Sequence, residues 1–383
     1  MIHFEAAEFG RRQAALRAAM TARGLDGLLI FRQETMFWLT GFDTFGFVYF
    51  QCLWFGADGR MVLLTRAPDL RQARLTSVIE DVRVWVDEEG AEPARALRDI
   101  LEEQGCRGKL LGVEYESYGL TARNGQRLDA ALEGFCRLVD ASFLASELRM
   151  IKSPAEIAYV RRAAELADAA LDQAHALARP GADEGAILAA MTGAVFAGGG
   201  DEPGNPFIIG SGPEALLVRN HSGRRKLDPQ DQLTLEFAGA YRHYHACLMR
   251  TICIGTAPQR QREMHRVAVE AMAACIDTLR PGRTVGEVFA AHARVMDGAG
   301  MRALRLNACG YSLGTCFQPN WMDWPMIFAG NPVIIAPGMV FFLHMILMDV
   351  NAGLAMMPGQ TVLVGPHGAE PLSARPLDLV VAG

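Results

Sequence analysis

Leu233-Thr-Leu-Glu-Phe-Ala-Gly-Ala-Tyr-Arg-His-Tyr-His-Ala-Cys-Leu-Met-Arg-Thr251 holds two apolar runs that meet at Arg242 and His243. The runs from Gln232 to Ala240 and from Tyr244 to Ile254 are each of strand length and composition, so a hairpin is expected. Alternate side chains of a strand share a face, which puts His243, His245, Cys247 and Met249 on one side and Tyr244, Ala246, Leu248 and Arg250 on the other. With Glu236 across the hairpin on the histidine side, a carboxylate, an imidazole and a thiol converge. A histidine and a cysteine there equally suit a packed interior. Glu236 does not, because an ionised carboxylate within Leu233-Thr-Leu-Glu-Phe237 costs several kcal/mol unless it is paired or used.

The 383 residues, half of them hydrophobic and 21% charged, can bury more than one core, so two domains are expected. A net charge of -6 gives no basic footprint for nucleic acid, and Arg224, Arg225 and Lys226 form only a short cluster. The opening Met-Ile-His-Phe-Glu-Ala-Ala-Glu lacks the basic flank and apolar stretch of a secretory signal, and no apolar run reaches bilayer length. Eight cysteines are scattered without a CxxC pair, which suits reduced thiols in a cytoplasm. A cytoplasmic protein with no membrane partner is expected.

Upstream of the hairpin, Phe9 to Ala22 reads as an amphipathic helix, and Gly27 to Phe31 as a short buried strand. Val48 to Phe55 and Met61 to Thr65 flank the turn cluster Gly56-Ala-Asp-Gly59, a second expected hairpin. Glu92 to Gln104 reads as helix and Leu110 to Glu114 as strand, an alternation typical of a mixed α/β domain. A boundary is expected between residues 147 and 148, dividing the chain into 1-147 and 148-383. Just beyond it, Ser153-Pro154-Ala155-Glu156 supplies a cap, a first-turn proline and a glutamate that reaches back to the cap amide. Thr284-Val-Gly-Glu287 repeats that capping logic. The strand-like blocks 207–209, 339–348 and 361–364 complete an α+β catalytic domain with helices over a curved sheet.

Several pieces in their order resemble the creatinase and aminopeptidase P superfamily. They are Phe37-Trp-Leu-Thr-Gly-Phe42, Met150-Ile-Lys-Ser-Pro-Ala-Glu-Ile157, Ile209-Gly-Ser-Gly-Pro213 leading to His221, the hairpin, Gly310-Tyr-Ser-Leu-Gly314 and Ala336-Pro-Gly-Met-Val340. The resemblance runs from about Phe9 to the end and implies a pita-bread catalytic domain behind a smaller α/β amino-terminal domain. It places the family's metal ligands, two aspartates, a histidine and two glutamates, onto Glu236, Cys247, Tyr311, His344 and the Gly359-Gln360 neighbourhood. None is retained in kind. Hard divalent ions favour several carboxylates, so no metal and no other cofactor is expected. A zinc set drawn from Glu236, His245, His344 and Cys247 is the alternative these donor types leave open.

Metal-free members of the superfamily include creatinase and ectoine hydrolase, and Glu236 to Thr251 resembles the ectoine hydrolase version more than the creatinase one. The region His344 to Met348 and the stretch Gly353 to Gln360 depart from it by lacking acidic residues. The resemblance implies hydrolysis of a carbon–nitrogen bond in a small amidine, guanidino or amide compound. Glu236 is then the expected base, with His221 and His245 as candidates for the proton carrier. Tyr311, His344 and Gln360 are expected to orient substrate, and Arg250 or Arg224 to take a substrate carboxylate. A homodimer is also implied, in which Phe42, Phe45, Phe47 and Tyr49 of a neighbouring subunit help to close the pocket. Two rival readings stand beside this one: a metal-dependent Xaa-Pro dipeptidase or aminopeptidase, and a non-catalytic solute-binding pseudopeptidase.

Overall fold

The computed structural model describes residues 2–220 and 223–383. The chain divides into two compact units, Met1–Arg149 and Met150–Gly383.

The first unit is built on a six-stranded sheet with helices before and between its strands. Its strand Gly27–Ile30 is fully buried, and its side chains alternate between two cores. Leu29 packs with Trp54, Leu97 and Phe135, whereas Leu28 and Ile30 pack with Leu16, Trp38 and Phe55. A strand covered on both faces has no polar positions to alternate with, which is why it reads as a continuous apolar run. The expected strand from Val48 begins later, at Cys52, because Gly46–Val48 forms a short 3-10 turn.

The second unit is centred on a nine-stranded sheet. It contains the hairpin of strands Asp231–Tyr241 and Tyr244–Ile254, paired through Glu236 with Met249, Ala238 with Cys247 and Ala240 with His245. Arg242 and His243 make the two-residue turn with φ of 51° and 65°, a geometry that matches the twist of the flanking strands. His243 therefore belongs to the turn and not to the strand face. Its amide donates to Asp201, its carbonyl accepts from Cys316, and its ring stacks on Phe317 with centroids 4.1 Å apart.

The helix Pro154–Leu177 starts at the expected capping box of Ser153 and Glu156 and packs across the hairpin. The approach is so close that a Cβ on Gly239 would lie 2.0 Å from the Ala163 carbonyl oxygen. Helices Gln259–Thr278 and Val285–Gly298 cover the neighbouring strands Val340–His344 and Gly359–Val364 through Leu343 and Val362. Leu343 pairs with Gln360, and Gln360 with Leu248. Directly paired residues share a face, so all three helices lie on one side of the sheet. The expected strand over 339–348 is interrupted, since Leu347–Asp349 leaves the large sheet to pair with Leu354–Met356. The other side of the sheet carries the candidate site.

Candidate active site

Following the register, the side of the sheet away from these helices presents Glu236, Cys247, Tyr311, Phe342 and His344, with Gly359 facing His344 from the next strand. A cavity of about 140 Å³ opens there. Glu236, Tyr311 and His344 line it together with Arg219, Asn320 and Trp321. Among its described lining residues, Glu236 and Arg219 are the only two with ionisable charge apart from His344 and the phenol of Tyr311.

Burial pushes the Glu236 carboxyl up to about 7, against the opposing pull of the Arg219 charge and a hydrogen bond from Tyr311. That bond is long, 3.4 Å from the Tyr311 hydroxyl to Glu236 Oε1. The Tyr311 oxygen in turn accepts a 2.8 Å hydrogen bond from Trp321 Nε1, which fixes where the phenol sits. Burial, with the charges of Cys247 and Glu236, raises the phenol well above its usual range, so it remains a donor. His344 is pushed down to about 4 by burial, with the neighbouring His292 adding to the effect, and is neutral near pH 7. Its Nδ1 has no hydrogen-bond partner among the described residues.

The other expected site residues lie elsewhere. His245 is on the correct face, but four residues along the strand from Met249, about 13 Å at roughly 3.3 Å per residue. Its Nε2 accepts a 2.8 Å hydrogen bond from the Gly204 amide, and burial lowers its pKa to about 4. It is thus a neutral acceptor already in use, poorly suited to carry a proton. Arg250 projects to the helix-covered side, because it pairs with Leu235 and not with Glu236. There its guanidinium donates to the carbonyls of Met249, Gly359, Arg375 and Pro376. Gln360 is turned to that same side by its pairing with Leu248. In the first unit Phe47 is buried while Phe45 is 80% exposed. His221 lies outside the described residues.

Arg219 was not among the expected residues, although it stands two positions before His221. The signal available in the sequence was a cation in an otherwise apolar approach, Leu216-Leu-Val-Arg219, which the nearby Arg224 cluster obscured. Trp321 was visible only as part of a resembling segment.

The superfamily's paired metal ions need hard, charged donors. Cys247 is fully buried, and its thiol is pushed well above its usual range by burial and by the Glu236 charge. The Thr361 hydroxyl ties down both its amide and its carbonyl at 2.8 and 2.9 Å. Gly359 brings no side chain and Tyr311 is a buried neutral phenol. One carboxylate with a raised proton affinity does not fit a pair of manganese-type ions. Among the described residues no three of His, Cys, Asp and Glu come together in a way that could hold a metal ion.

The creatinase/prolidase amino-terminal domain matches residues 12–151, and metallopeptidase family M24 matches residues 158–366. An uncharacterised hydrolase/peptidase of Sinorhizobium fredii is 29% identical over 100% of this chain and 99% of its own. The ectoine hydrolase of Halomonas elongata is 26% identical over 99% of this chain and 98% of its own. The crystal structure of dipeptidase PepE from Mycobacterium ulcerans aligns with a TM-score of 0.85 at 26% identity, covering 99% of each chain. The matched domains, the pita-bread sheet and the hydrolase relatives together show that this chain is a hydrolase belonging to metallopeptidase family M24, in the creatinase and aminopeptidase P superfamily.

Proposed function

We propose that this hydrolase cleaves a carbon–nitrogen bond in a small amidine, guanidino or amide compound without a metal ion, with Glu236 as the base. The observation that carries the reading is a carboxylate of raised proton affinity, the only one among the described lining residues of a small cavity. A general base works best when its pKa lies near the operating pH, and each well-placed acid or base contributes about 10²–10⁴ in rate. Glu236 takes a proton from water as the water oxygen bonds to the substrate carbon. The same proton then passes from Glu236 to the departing nitrogen, the carbon–nitrogen bond breaks, and the carboxylate is restored. Tyr311 holds Glu236 in place, and the neutral His344 imidazole hydrogen-bonds the substrate. His221 is retained as a substrate-facing candidate on the superfamily resemblance alone.

Size supports a compact substrate. A volume of about 140 Å³ lies below the roughly 300–1,000 Å³ of ordinary ligand pockets and near the ~150 Å³ that admits benzene. The similarity to a dipeptidase favours the second reading, a metal-dependent Xaa-Pro dipeptidase, and the buried thiol and single raised carboxyl among the described donors speak against it. A homodimer in which the exposed Phe45 meets a neighbouring copy belongs to the same proposal, and light scattering of the purified protein tests it.

The test is a panel of ectoine, hydroxyectoine, creatine, cyclic amidines and proline dipeptides, followed both by thermal shift and by product formation. Turnover of an amidine or guanidino compound that Glu236→Gln abolishes, in a variant that stays folded, supports the reading. Cleavage of proline dipeptides alone, or binding without turnover, removes it.

A further inference from the structure

We propose that Arg219 is the specificity-determining residue of this cavity, pairing with an anionic group so that the accepted ligand is a compact zwitterion with its cationic carbon–nitrogen end at Glu236 and its carboxylate at Arg219. This rests on the proposed carbon–nitrogen chemistry for what Glu236 does, and adds to it the identity of the opposite end of the substrate.

The charge pattern of the cavity points that way. Its described lining carries one carboxylate, Glu236, and one guanidinium, Arg219, among neutral amides, aromatic rings, the neutral His344 and apolar side chains. A guanidinium and an ionisable carboxyl in one small space are complementary to a molecule carrying both signs of charge. A cation alone would leave Arg219 repelling it, and an anion alone would meet Glu236.

Arg219 is also available for the task. It is exposed, it follows the short turn Gly212–Leu216, and among the described residues it makes no ion pair or hydrogen bond. The neighbouring arginines are committed elsewhere. Arg225 is bound to Ser211, Asp228 and Asp231, and Arg250 to main-chain carbonyls behind the sheet. Arg224 is not part of the cavity lining, and its amide donates to Glu184. Arg219 lines the same cavity as Glu236, and its charge acts on that carboxyl. Its planar fork suits a carboxylate, which a lysine would meet as a point charge.

Isothermal titration calorimetry of the full chain with ectoine and with creatine, each beside its methyl ester, tests the proposal without requiring turnover. Wild-type protein is expected to bind at least one zwitterion and to prefer it to its ester. Arg219→Gln is expected to weaken that zwitterion by about 10- to 100-fold, the range of a hydrogen bond to a charged group, and to leave the ester within about threefold. Arg219→Lys keeps the charge and loses the fork, so it is expected to recover only part of the loss. Where turnover is seen, the loss appears in KM, and the acid limb of kcat/KM moves to higher pH in Arg219→Gln, because the charge that opposes burial of Glu236 is gone. Failure of both zwitterions to bind, or equal weakening of acid and ester, overturns the proposal. Binding that follows this pattern in Glu236→Gln, combined with no turnover by the wild type, would sustain Arg219 and remove the catalytic reading instead.

Discussion

Replacing Glu236 by glutamine is expected to stabilise the protein in a pH-dependent way. Burial raises the carboxyl from its ordinary 4.5 to about 7. Below pH 4.5 the group is protonated in both the folded and the unfolded chain, and it contributes nothing to the pH dependence. Between 4.5 and 7 the unfolded chain releases the proton while the folded one keeps it, so stability falls as pH rises. Above 7 both forms are ionised and the penalty stays at its full value. At about 1.4 kcal/mol per pH unit that penalty is about 3 kcal/mol. For a unit of this size it corresponds to about 6–12 °C in Tm. Glutamine keeps the shape and cannot ionise, so thermal unfolding of wild type and Glu236→Gln should nearly coincide at pH 4.5, diverge up to about pH 7 and stay apart by a constant amount to pH 8.5, with the variant higher. A difference already constant from pH 4.5 upward, or a variant that loses stability at pH 8.5, would refute a carboxyl held protonated by burial.

Three further substitutions probe the frame. Arg250→Met removes the donor shared by the Met249, Gly359, Arg375 and Pro376 carbonyls; a loss of about 2–4 kcal/mol by chemical denaturation is expected, with KM within about twofold, whereas a tenfold rise in KM at unchanged stability would return Arg250 to the substrate. Thr361→Val leaves the Cys247 amide and carbonyl without their shared hydroxyl, which should cost about 1–3 kcal/mol and accelerate hydrogen exchange at the Cys247 amide. Gly239→Val drives a side chain into the Ala163 carbonyl; a loss of about 3 kcal/mol or more is expected, read as a collapse of soluble, cooperatively unfolding protein, and a normal melt would contradict the close packing of helix on hairpin.

The hairpin was legible because its two halves carry strand composition on both sides of a short turn, and the helix starts at Ser153 and Thr284 because caps are local chemistry. Alternation placed Cys247 and His245 on one face of their strand, and the register puts Glu236 of the facing strand on that side too. Alternation misplaced His243, since a positive φ at histidine leaves no mark in the pattern of apolar residues. Distance along a strand was harder to read than face, and so His245 looked like a neighbour of Glu236. Arg219 was missed for a different reason: its place in the cavity depends on how the loop after Gly212–Leu216 meets strands far away in sequence. Gln360 illustrates the same limit, because one residue of register turns it away from Glu236 and leaves Gly359 in its place.

Turnover by protein stripped of metal is the most direct test of a carboxylate base acting alone. The purified hydrolase is dialysed against a strong chelator, its residual metal content is measured, and kcat/KM is followed from pH 5 to 9 on whichever substrate the panel identifies. Retained activity in protein holding far less than one metal ion per chain, with an acid limb near pH 7, is the predicted result. Activity that disappears with the metal and returns when manganese or zinc is restored would contradict it.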